Sequence, residues 1–154
     1  MINLTADSVF RIAEKMERDG ALFYQVAASN ADENRRSVLL ALAEMEFTHE
    51  RAFAAMRSEF AGSKIQPVTP PAGSPSGLYL QAIAEGSIFG GEAAPKLTGS
   101  ESIDRIFDIA IMLEKDSIVF YQSMKSIVPP GQAHDQLDQI IEQEIGHILE
   151  LTRN

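Results

Sequence analysis

The sequence predicts an all-α protein built as two helical hairpins joined by a long crossover, together a four-helix bundle. Three observations carry that prediction. Apolar residues recur at steps of three and four along four long segments, the spacing of a buried helix face. No segment shows the alternation of a half-buried strand. And one phrase is written twice: ERDGALFYQ at 17–25 returns as EKDSIVFYQ at 114–122, with five of nine positions identical and a sixth exchanging Arg for Lys.

The elements follow in order. The first helix spans about Thr5 to Ser29. Asp32 is a natural N-cap for a second, running to about Phe60. Gly62 to Gly77 holds four of the seven prolines and reads as a loop. GLYLQAIAEG predicts a short extra helix over about Leu78–Glu85, and GGEAAPKLTGS is again a connection, ending in a Ser cap at Ser100 or Ser102. The next long helix covers about Ile103–Val128, where Pro129, Pro130 and Gly131 stop it. A last helix reaches about Leu151. The two tight links make antiparallel neighbours, and the crossover between the hairpins is about 40 residues long.

Composition narrows the class. One domain, 1–154, is expected at this length. The chain is 45% hydrophobic and 23% charged, an ordinary soluble profile. Its net charge of −9 argues against a nucleic-acid partner, which would require clustered Lys and Arg. With no Cys, disulfides and Cys-ligated zinc or iron–sulfur sites are excluded. No apolar run is long enough to span a membrane, and the N-terminal residues lack a signal-peptide pattern, so a cytoplasmic location is expected.

The repeat extends beyond the opening phrase. ALAEMEFTHERAF in the second helix and QIIEQEIGHILEL in the last share Glu-x-Glu-x-x-His. Glu17 lies 29 residues before Glu46, and Glu114 lies 30 before Glu144. On each helix the apolar seam is interrupted at mid-height by these polar residues. The seams read Phe10, Ala13, Glu17, Gly20, Tyr24, Ala27; then Leu39, Leu42, Glu46, His49, Phe53, Met56. In the second half they read Phe107, Ala110, Glu114, Ser117, Tyr121, Met124; then Leu137, Ile140, Glu144, His147, Leu151. Positions i and i+3 share a helix face, so each Glu-x-x-His pair aims inward.

Four carboxylates in one core cannot be left alone, since burying one unpaired ion costs at least several kcal/mol. No Lys or Arg shares the seam. Two divalent cations would balance the charge, and two imidazoles would add nitrogen ligands. Carboxylate-rich sites with one His per metal suit iron or manganese better than zinc or copper. One Glu from each of two helices with Glu-x-x-His from the other two is the ligand pattern of dinuclear bundle sites. A single Glu-x-x-His is ordinarily a solvated face; two at matched seam positions are a stronger signal. Glu14, Glu44, Glu50 and Glu142 fall off the seam and are expected to be solvated, and His134, near a helix start, is expected at the surface. Tyr24 and Tyr121 read as core tyrosines bonding a distant ligand or carbonyl rather than as redox residues.

The twice-written Glu-x(6)-Tyr phrase and the twice-written Glu-x-x-His resemble the rubrerythrin-type branch of the ferritin-like di-iron superfamily over both hairpins. Classical ferritins resemble it only in part, because their second half lacks Glu-x-x-His. The resemblance implies a ferritin-like bundle with two iron ions per chain, manganese being the other candidate. It implies the ligands Glu17, Glu46, His49, Glu114, Glu144 and His147, with Glu46 and Glu144 as bridges and no catalytic residue distinct from them. Two departures stand out. The Cys-ligated rubredoxin module of rubrerythrins is absent, so electrons would come from an external donor such as a rubredoxin-like protein. The extra ligand Glu one turn after the third-helix ligand is replaced by Ser117, matched by Gly20; these small residues, with Tyr24 and Tyr121, suggest a second layer or a small-ligand pocket. The implied function is an oxidoreductase, a peroxidase or oxidase reducing hydrogen peroxide or dioxygen in oxidative-stress defence, as a homodimer. The alternatives are a non-enzymatic, ferroxidase-like protein that buffers iron and a di-iron oxygenase acting on an organic substrate.

Overall fold

Five helices and no strand occur among the residues that the computed structural model describes, which are 4–64, 70–71, 73–86 and 96–154. They are α1 (Ala6–Ser29), α2 (Glu33–Gly62), α3 (Pro75–Ala84), α4 (Ile103–Met124) and α5 (Gln132–Arg153). Much of the two predicted connections flanking α3 lies outside the described residues.

Local chemistry sets most of the starts. Thr5 and Ser8 form a reciprocal capping box, Ser8 N donating to Thr5 Oγ1 at 3.1 Å and Thr5 N to Ser8 Oγ at 2.9 Å. Asp32 caps α2 by accepting from Arg35 N at 3.1 Å. Ser102, not Ser100, caps α4, accepting from Arg105 N at 3.2 Å. Each such cap contributes about 1 kcal/mol. The α5 start has no side-chain cap; it turns instead on Gly131 at φ 127°, a backbone region that a side chain would strain.

Two boundaries differ from the sequence reading. The extra helix starts at Pro75, inside the predicted loop, because Ser74 caps it and a proline suits the first helical position. And α4 ends at Met124, not Val128: Ser126 N and Ile127 N turn back to Ser123 O and Met124 O at 3.1 and 2.9 Å. The helical conformation is disfavoured just before Pro129. The tightened turn also tucks Ile127 and Val128 into the core.

Helices α1 and α2 pack against each other, as do α4 and α5, and the hairpins meet through α1–α4 and α2–α5 contacts. α3 lies against α1 and α4, burying Leu80 and Ile83. Every seam position is buried except Gly20 and Ser117. The core forms two apolar clusters. One gathers Phe10, Phe53, Met56, Leu80, Phe120 and Met124; the other gathers Phe23, Leu39, Leu42, Ile106 and Leu151. On the seams, the Glu and His residues fall between the residues of one cluster and those of the other.

Candidate metal centre

The six predicted ligands converge. Glu17 from α1, Glu46 and His49 from α2, Glu114 from α4, and Glu144 and His147 from α5 are all buried, none more than 6% exposed. They form two overlapping groups. Glu17, Glu46, His49 and Glu144 bring one potential ligand atom each to within 4.8 Å of one another, and so do Glu46, Glu114, Glu144 and His147. Glu46 and Glu144 belong to both, the positions where bridges were expected. Donors about 2.0–2.2 Å from a common first-row cation lie at most about 4.4 Å apart, so atoms within 4.8 Å of one another need to close by no more than a few tenths of an ångström to hold one.

The polar atoms at the centre face one another without bonding. His49 Nδ1 is 3.0 Å from Glu144 Oε1 and 3.5 Å from Glu17 Oε2. His147 Nδ1 is 2.9 Å from Glu144 Oε2, 3.0 Å from Glu46 Oε1 and 3.5 Å from Glu114 Oε1. Yet both Nδ1 atoms, both Glu144 oxygens, Glu17 Oε2 and Glu46 Oε1 are buried with no aligned hydrogen-bond partner. Orphaned buried polar atoms are costly and rare in native cores. Six of them pointing at shared ground fit a third body held between them, and the donor set of hard carboxylates with one imidazole per group fits iron or manganese.

Two phenols brace the cluster on its diagonals. Tyr24 of α1 donates to Glu114 Oε1, and Tyr121 of α4 donates to Glu17 Oε1. Burial and the nearby carboxylates push both phenols well above their ordinary pKa, so they remain donors. The sequence reading of these tyrosines as partners of a distant ligand thus describes their geometry: each bonds the carboxylate belonging to the other copy of the phrase.

Protons take up the charge when no cation does. Burial raises Glu17 and Glu46, with repulsion from Glu144 adding to the first and from Glu17 to the second. Burial pushes Glu114 up to about 8. Burial would also raise Glu144, but the two imidazoles hold it below its ordinary value. Burial would lower both histidines, yet the carboxylates override it and raise His49 to about 10 and His147 to about 9. No Lys or Arg shares the seam; two imidazolium rings, 5.7 Å apart and nearly parallel, can serve as the internal cation.

The off-seam acids are a partial correction. Glu44 and Glu142 are exposed as expected, but Glu14 and Glu50 are half-buried. Arg57 Nε bonds Glu14 Oε1 at 2.5 Å, and Arg18 pairs with Glu50, so both acids are held by arginines. His134 is half-buried rather than on the open surface, its Nε2 2.6 Å from Val128 O. One residue that the sequence reading missed is Gln143, whose Oε1 lies 2.9 Å from His49 Nε2. A polar residue next to a seam Glu gives no signal until its neighbour across the helix pair is known.

Of the two small seam residues, Gly20 approaches the centre closely: a Cβ there would lie 3.4 Å from Glu46 Oε2. Gly20 and Ser117 line a cavity of about 20 Å³ together with Met16, Tyr24, Glu46, Leu113, Glu114 and Asp116. Tyr121 does not line it.

A solved structure shares this architecture. A Thermotoga maritima protein described as a ferritin-like diiron-carboxylate protein is 20% identical, with 99% of this chain and 95% of that one aligned at a TM-score of 0.69. The fold is ferritin-like. No protein-family model and no curated protein matches the chain. Among the described residues no helix is long and apolar enough to cross a membrane.

Proposed function

We propose that this chain is a di-iron carboxylate protein of rubrerythrin type that reduces hydrogen peroxide or dioxygen. The observation that carries the reading is the pair of overlapping four-residue groups whose inward-facing atoms lack partners. Glu17 with His49 would hold one cation, Glu114 with His147 the other, and Glu46 with Glu144 would be shared. Two bound iron ions would supply two electrons to a small oxidant and regain them from an external donor.

The chain's own residues do the rest. Four carboxylates offset the charge of two divalent cations. Tyr24 and Tyr121 fix one oxygen each of Glu114 and Glu17, which limits how far those side chains can swing. The apolar clusters on either side restrict water. Gly20 and Ser117 leave a cavity of about 20 Å³ beside Glu46 and Glu114. That is room for one small molecule, which favours peroxide or dioxygen over a bulky organic substrate.

Iron-loaded protein supplied with excess reductant should consume hydrogen peroxide over many turnovers. Oxidation that stops after about one peroxide per chain would instead favour a protein that binds and oxidises iron without turnover. An external donor, a rubredoxin-like protein being the natural class, belongs to the same proposal because the chain has no Cys with which to hold a relay of its own.

A further inference from the structure

The two imidazoles are supported unequally. We infer that Gln143 is a positioning residue that fixes His49 in its ligating tautomer, so that the His49 position takes a divalent cation more tightly than the His147 position. This rests on the reading of the cluster as a metal centre.

His49 presents Nδ1 to Glu17 and Glu144, and on the other edge of the ring its Nε2 lies 2.9 Å from Gln143 Oε1. An amide oxygen only accepts, so Nε2 carries the proton. A neutral ring then has its lone pair on Nδ1, where the carboxylates converge. The same outer bond is what commonly fixes the tautomer and orientation of a metal-bound histidine.

His147 offers Nδ1 to Glu46, Glu114 and Glu144 in the same manner. Its Nε2, however, is buried and has no hydrogen-bond partner among the described residues. The repeat shows the reason. The register that matches Glu46 with Glu144 and His49 with His147 also matches Met45 with Gln143. A thioether is at best a weak acceptor, so position 45 cannot do for His147 what Gln143 does for His49. A buried N–H without an acceptor costs free energy, and the neutral ring is less firmly held with its lone pair toward the carboxylates.

The test is titration of metal-free protein with cobalt(II), followed by calorimetry and visible absorption. The parent should bind two ions in resolved steps. Q143M should weaken the tighter step by about 10- to 100-fold, the usual effect of losing such an outer bond, and leave the weaker step nearly unchanged. M45Q, on the other hairpin, should tighten the weaker step and narrow the gap. If Q143M leaves the ratio of the two constants unchanged, even while lowering both, the inference is overturned. Should Q143M not fold, an unchanged ratio in M45Q overturns it equally. A folded parent that takes up no cobalt overturns the metal reading itself, an outcome distinct from two equal constants.

Discussion

The α1–α2 and α4–α5 hairpins bring the same side chains to the same depth and hold them differently. Both supply Glu, then Glu and His one turn apart, and both send a tyrosine across to the other's first glutamate. Around that common set they diverge. The first hairpin is clasped outside by Arg18 with Glu50 and by Arg57 with Glu14 and Asp7. The second has Lys125 with Asp138. Pairs of this kind near the surface contribute little each. In the repeat Gly20 corresponds to Ser117, and Met45 to Gln143. What the halves share is what a pair of equivalent cations would need; Met45 and Gln143 differ beside the histidines, which the two groups do not share.

The sharpest way to break the comparison is to remove a shared residue. Glu46→Ala and Glu144→Ala should each empty both positions, lowering bound metal by elemental analysis from about two per chain toward zero, because both residues belong to both groups. If either variant keeps one full equivalent, that glutamate serves one side only.

Removing an unshared residue should cost half as much. His49→Ala and His147→Ala should each leave close to one metal per chain. His134→Ala should leave both, and should cost about 1 kcal/mol of stability for its lost bond to Val128 O. Chelator competition with each variant checks this, and metal loss in His134→Ala as severe as in His49→Ala would misplace the site.

Acidity should separate the metal-free and metal-loaded forms. His49 and His147 are raised to about 10 and 9, so the stability they contribute is complete below about 6.5 and lost as pH climbs through 9–10. Glu114, raised to about 8, contributes in the same direction, losing its share as pH rises through that value. Glu144 is lowered and opposes this only below about 4.5. Metal-free protein should therefore melt higher at pH 5 than at pH 9, by several degrees, and Glu114→Gln should flatten part of that slope. Loaded protein should run the other way, since protons compete for the ligands. Thermal melts with and without chelator across this range decide it; parallel curves would mean that the carboxylates do not share a core.

The smallest effect is expected at the cavity. Gly20→Ala fits beside Glu46 and should stabilise the metal-free helix by up to about 1 kcal/mol, while slowing peroxide consumption by narrowing the approach. Ser117→Ala should change neither appreciably. Equal slowing by the two would mean that the approach is symmetric after all.

Much of this was readable from the repeat. A glutamate on an apolar seam is a conflict between burial and charge, and six polar seam positions at matched intervals leave few ways to resolve it. The Asp32 cap was also legible, and the α4 cap was narrowed to Ser100 or Ser102, because capping is local chemistry. What sequence could not show depends on neighbours across helices. Glu14 and Glu50 looked solvated because their arginines sit on the opposite helix. Gln143 was silent because its meaning lies in the ring that it faces. The end of α4 at Met124 owes something to Pro129, which the sequence shows, but its exact place follows from packing Ile127 and Val128 into the core.

The central claim is that the two hairpins hold two cations between them. Anaerobic titration of metal-free protein with iron(II), monitored by elemental analysis after desalting, tests it most directly. The account predicts uptake that saturates at two ions per chain and falls to about one in His147→Ala. Saturation near zero or at a single ion in the folded parent protein would contradict it.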